Sequence, residues 1–93
     1  MPRVDHVVYG VRDLDVAAAR LADDFGLHAE AGGEHPGFGT ANRLVGLGEA
    51  YLELLAGPPV EAVLGDGPDR LLGWMVVSDD IEADAARLGI EVL

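Results

Sequence analysis

Two stretches of this chain follow one plan. HVVYGVRDLDVAAARLADDFGLHAE (6–30) and WMVVSDDIEADAARLGIEVL (74–93) each run strand, acidic turn, Ala/Arg/Leu helix, glycine stop and strand. Repetition on this scale constrains a fold more than any single residue does. Internal repetition is a structural signal to look for before any other.

The details of the first copy fix its elements. RVDHVVYG (3–10) is rich in β-branched and aromatic residues and closes on Gly10, as a strand does. Leu14, Ala17, Ala18, Leu21, Ala22 and Phe25 recur at helical spacing behind a capping Asp13 or Asp15. Gly26 supplies the stop. Leu27 to Glu30 reads as a short strand and AGGEHPGFG (31–39) as a loop, with Gly and Pro punctuating it. Strands are expected over Thr40–Leu47 and Ala50–Ala56, around a turn at Gly48 and Glu49. The order is β-α-β-β-β.

Residues 57–71 are a Gly/Pro-rich connector with a helical turn near Val60–Leu64. A strand over Leu72–Val77 follows, then a helix over Ile81–Leu88 capped by Asp79 or Asp80, then a strand starting at Ile90. The expected class is α+β, in one domain: a first module over 1–56, the connector, and an incomplete βαβ second module over 72–93. Aligned strand on strand, the copies put Trp74 opposite His6.

Composition narrows the chemistry. The chain has 93 residues, 49% of them apolar, which suits one globular domain. Six basic and seventeen acidic side chains give a net charge of −11. That balance excludes nucleic acid and anionic membrane as expected partners, since Lys and Arg hold both. Cysteine is absent, which removes disulfides, thiolate metal sites and cysteine nucleophiles. Lysine is absent too, and with it Schiff-base chemistry and a Walker-type loop. Ser78, the only serine, lacks the strand-turn-helix setting of a nucleophile elbow. Neither a membrane span nor a signal-peptide apolar region is evident, so a cytoplasmic protein is expected.

What remains is carboxylate, histidine, Arg and Tyr chemistry, and one residue draws it together. Glu53 interrupts the apolar run YLELL (51–55). An unpaired buried carboxylate costs more than one apolar side chain returns. Glu53 therefore faces water, pairs with Arg43, or meets a ligand or metal. His6 is its counterpart in the first strand, where a histidine satisfied by a backbone carbonyl is the alternative to a ligand. Asn42 and Arg43 are neighbours on a strand and face opposite sides, so at most one enters a shared cavity. Asn42 is the one expected there. His35 sits in the Gly/Pro loop, exposed or lining the cavity, and His28 is expected in solvent. GFGTAN precedes a strand and lacks the strand-Gly-helix setting of a nucleotide loop.

VDHVVYGVRDLDVAAARLADDFGL (4–27), HPGFGTANRLVGLGEAYLELLAG (35–57) and LLGWMVVSDDIEADAARLG (71–89) together resemble the glyoxalase-like domain family of the vicinal oxygen chelate superfamily. That resemblance implies paired βαβββ modules, each curling a sheet around a cavity. In metal-using members, a first-strand residue and a fourth-strand Glu ligate a divalent ion. The matching positions are His6 and Glu53, with Glu53 also catalytic, and imidazole plus carboxylate suits Zn, Fe(II), Mn or Ni. His35, Asn42 and Trp74 are the candidate substrate-binding residues, Trp74 either as an aromatic wall of the pocket or in the core or a subunit interface. The resemblance implies a metal-dependent lyase, isomerase or dioxygenase acting on a small oxygen-chelating substrate. The alternatives are a metal-free protein that binds small molecules, as the antibiotic-sequestering members do, and a partial module completed by homodimerisation.

Overall fold

The computed structural model describes residues 3–89. The strand expected from Ile90 lies outside them. Among the described residues five strands form one sheet, β1 (Arg3–Gly10), β2 (Glu30–His35), β3 (Thr40–Gly46), β4 (Tyr51–Ala56) and β5 (Arg70–Val77). Three helices accompany it, α1 (Leu14–Phe25), α2 (Pro58–Leu64) and α3 (Ile81–Leu88). The strand order is β2-β3-β4-β1-β5. Among the described strands only the β1–β4 pair is parallel, and α1 lies within the crossover between them. This is the α+β class expected, with a βαβββ module followed by the first strand and helix of another.

Helix α1 starts where Asp13 accepts the backbone N–H groups of Asp15 (2.9 Å) and Val16 (3.1 Å). It ends at Gly26, whose φ of 68° is left-handed and lets its N–H reach Ala22. The apolar stripe covers one sheet face. Val11, Val45 and Leu54 form the buried centre there, with Leu14, Ala17, Leu21 and Tyr9 packed around it. The connector is more ordered than its composition suggests. Pro58 and Pro59 occupy the first turn of α2, where a missing N–H costs nothing. Arg12 then ties the segment down by donating to the carbonyls of Gly65 (2.5 Å) and Gly67 (2.8 Å).

Strand β2 corrects the expectation most. The loop assigned to AGGEHPGFG is mostly strand, paired with β3 from Glu30 to His35, while 27–29 are not strand. Every residue of β2 is exposed, so no apolar alternation marks it. Its register slips between Ala31 and Glu34, at Gly32 and Gly33. That bulge needs glycine, because a Cβ on Gly32 would overlap the Asn42 amide oxygen and carbonyl.

Strands β1 and β5 are related by a local two-fold. Counted from the capping aspartates, Asp13 and Asp80, Arg3 matches Arg70, Val7 matches Trp74 and Gly10 matches Val77. Val7 pairs with Trp74 across the sheet, so the axis passes through that pair. His6 pairs with Met75 and Val8 with Gly73, which exchange under the same axis. Each strand also carries one unpaired residue, Asp5 in β1 and Leu72 in β5, again at matching positions. The strand-on-strand alignment was therefore one residue out. Trp74 matches Val7, and the counterpart of His6 is Gly73.

The second copy is less covered than the first. Leu71, Trp74, Met75, Ile81 and Leu88 are all more than half exposed. Where the first copy has Val11 and Ala17, the second has Ser78 and Asp84, and Ser78 Oγ donates to Asp84 Oδ2 at 2.5 Å. Arg87 pairs with the other Asp84 oxygen, so this buried carboxylate is satisfied.

Candidate functional site

Alternation along three adjacent strands builds the site. His6 and Val8 on β1, Tyr51 and Glu53 on β4, and Asn42 and Leu44 on β3 share the sheet face opposite the α1 core. Register sets His6 beside Tyr51, and Glu53 between Val8 and Leu44. The two polar residues that interrupt apolar strands thus meet on one face. His6 Nε2 stands 3.6 Å from Glu53 Oε1, with side chains 14% and 15% exposed.

Each partner is held from outside. His6 Nδ1 lies 2.8 Å from Asp5 Oδ2, and a carboxylate only accepts, so Nδ1 carries the proton. The imidazole also stacks on Tyr51, with ring centroids 4.5 Å apart and planes 11° from parallel. Burial raises the Tyr51 pKa, and the negative charges of Asp5 and Glu53 push it the same way. The phenol therefore stays neutral above its usual range. On the other side, Gly33 N–H donates to Asn42 Oδ1 at 2.7 Å, which fixes the amide orientation. Asn42 Nδ2 then donates to Glu53 Oε2 at 2.6 Å and faces His35 Nε2 at 3.2 Å.

These contacts set an imidazole nitrogen beside a carboxylate oxygen. With Nδ1–H given to Asp5, Nε2 either presents a lone pair to a cation that it shares with Oε1, or carries a second proton and forms an ion pair with Glu53. The pair fits part of a divalent-ion site, since such an ion usually takes three or four protein ligands. Among the described residues no group of three His, Asp or Glu side chains is close enough to complete one.

Of the residues singled out in the sequence, His6, Glu53, Asn42 and His35 are brought together. His35 sits at the exposed end of β2, at the margin. Trp74 is not among them. It pairs with Val7, so it lies on the other face, and it is 67% exposed. Arg43 faces away from Glu53 and pairs with Asp15 of α1. His28 is exposed, as expected. Two participants were missed. Tyr51 was legible, being two residues before Glu53 on the same strand and hence on its face. Asp5 was not, because alternation places it opposite His6. A separate cavity of about 650 Å³ lies on the α1 face, between Tyr9, Leu21, Leu52 and Arg20, and shares none of this chemistry.

Comparison with known proteins agrees with the fold. A family model described as "Glyoxalase-like domain" matches residues 4–92. No curated protein sequence matches the chain. Among solved structures, a hypothetical protein, BH1468, from Bacillus halodurans C-125 is similar at a TM-score of 0.79 and 15% identity, over 95% of this chain and 67% of that one. A methylmalonyl-CoA epimerase in complex with methylmalonyl-CoA and NH4+ superposes at 0.79 and 22% identity, over 100% and 74% of the two chains. Another methylmalonyl-CoA epimerase is 26% identical at a TM-score of 0.73, over 92% and 68%. Each of these proteins is longer than the present chain. A family match over nearly the whole sequence, on the βαβββ architecture seen here, means that the chain belongs to the glyoxalase-like domain family of the vicinal oxygen chelate superfamily.

Proposed function

We propose that the His6–Glu53 face binds a small oxygen-bearing ligand, and that the domain acts as a lyase, isomerase or dioxygenase with Glu53 as its catalytic residue. The observation that carries this is the convergence of His6 Nε2 and Glu53 Oε1 at 3.6 Å without a hydrogen bond between them. A divalent ion (Zn, Fe, Mn or Ni) held partly by these two atoms would polarise the ligand's oxygens and stabilise negative charge developing on them. Asn42 fixes Glu53 Oε2, so without a metal Oε1 is the oxygen left to take or return a proton. A carboxylate placed to do so suits isomerisation at a carbon beside a carbonyl. The structural similarity to proteins named epimerases supports that class.

Elemental analysis of protein purified without chelators tests the metal. The expected result is close to one divalent ion per site, with higher thermal stability on adding Zn, Mn or Ni. Protein that carries no metal and gains no stability from any of them would leave the second reading, a metal-free small-molecule binding protein.

This proposal extends to assembly. The exposed apolar side chains of β5 and α3 support homodimerisation. Sedimentation is expected to give a dimer at micromolar concentration, and a folded monomer there would dismiss the dimer.

A further inference from the structure

We propose that Asp5 is a positioning residue, turned toward His6 by a β-bulge so as to hold the imidazole with its Nε2 lone pair on the ligand side. This rests on the reading of His6 as a metal or ligand contact, and adds the residue that makes it competent. In a regular strand Asp5 would project from the opposite face to His6. The register shows otherwise. Val4 pairs with Val76 and His6 with Met75, so two consecutive residues of β5 face three of β1, and Asp5 is the extra one. A bulge re-aims the side chain at its extra residue. Here it puts the Asp5 carboxylate 2.8 Å from His6 Nδ1.

The local two-fold gives an internal comparison. Strand β5 has the same bulge at the matching position, but the residue there is Leu72 and the counterpart of His6 is Gly73. Leu72 packs into the space above Gly10, where a Cβ would come within 2.8 Å of Leu72 Cδ1. One bulge geometry thus carries a packing residue in one copy. In the other it carries a carboxylate, and that is the copy that has the histidine. Packing alone does not call for a half-exposed Asp, whose side chain is 40% exposed. A carboxylate that accepts the far N–H of a ligating imidazole fixes the tautomer and raises the basicity of the other nitrogen.

The test uses the full chain with 15N-labelled histidine, at one fixed pH of 8 for parent and variants. His6 resonances are identified by their loss in His6→Gln. In the parent, Nδ1 is expected to show the protonated shift and Nε2 the unprotonated one. Asp5→Ala should move the population toward the Nε2–H form and weaken Co(II) binding by about 10–100-fold. Asp5→Asn, whose amide oxygen also accepts, should recover the parent tautomer and most of the affinity. An unchanged tautomer in a folded Asp5→Ala protein overturns the proposal. If the parent binds no Co(II), the metal reading fails while the tautomer still decides the role of Asp5.

Discussion

Replacing Glu53 with glutamine is expected to weaken metal binding and slow any turnover by orders of magnitude while leaving the fold intact. Glutamine keeps the shape, and its amide oxygen still accepts from Asn42 Nδ2, so the β3–β4 contact survives. What disappears is the negative charge beside His6 Nε2. A neutral amide is a far weaker ligand for a hard or borderline cation. The affinity for Zn or Mn should fall on the order of a hundredfold, or about 2.7 kcal/mol. A proton transfer that depends on this carboxylate should slow by roughly 10²–10⁴-fold. Stability without metal is expected to change by less than about 1 kcal/mol, because a mostly buried charge has been removed along with its attractions. Titration calorimetry with Zn and with Mn, alongside urea unfolding, separates these effects. Parent-like metal affinity in a folded variant would remove Glu53 from the site.

How far the sequence reveals this site depends on which physical signal each residue leaves. His6 and Glu53 stand out because a polar side chain inside an apolar strand has to be paid for by a partner. Asn42 followed from alternation, once Arg43 was assigned the other face. Asp5 left no such trace, because a bulge reverses alternation locally and nothing in RVDHVVYG marks where the extra residue falls. Strand β2 was hidden for a related reason. It is an edge strand held by pairing with β3, with no buried residue to set a period, and its two glycines read equally as loop. The one-residue error at Trp74 came from aligning apolar strand residues, which slide easily over one another. The helix caps do not slide. Asp13 and Asp80 each accept a backbone N–H within the first turn, and counting back from them gives the register found in the structure.

That corrected register makes a further experiment possible. Gly73 matches His6 in the second copy, and it pairs with Val8, which pairs on its other side with Glu53. Gly73, Val8 and Glu53 thus form one row across β5, β1 and β4 on the face that carries His6. With neighbouring strands about 4.8 Å apart, Gly73 and Glu53 lie roughly 10 Å apart along that row. A Cβ on Gly73 would meet nothing within 4 Å, and its φ is not in the left-handed region, so a side chain fits without strain. Gly73→His is therefore expected to add a third donor beside His6 and Glu53, the smallest protein set usual for a catalytic zinc. Affinity for Zn or Ni should rise on the order of a hundredfold, about 2.7 kcal/mol by titration calorimetry. Gly73→Ala controls for the added Cβ and should bind like the parent. Adding His6→Ala to Gly73→His should return affinity to the parent level or below, since the gain depends on both imidazoles. A Gly73→His protein that folds and binds no tighter than the parent would mean that position 73 does not face the same point in space as His6 and Glu53. The local two-fold would then relate the two strands in register only, and not in where their side chains converge.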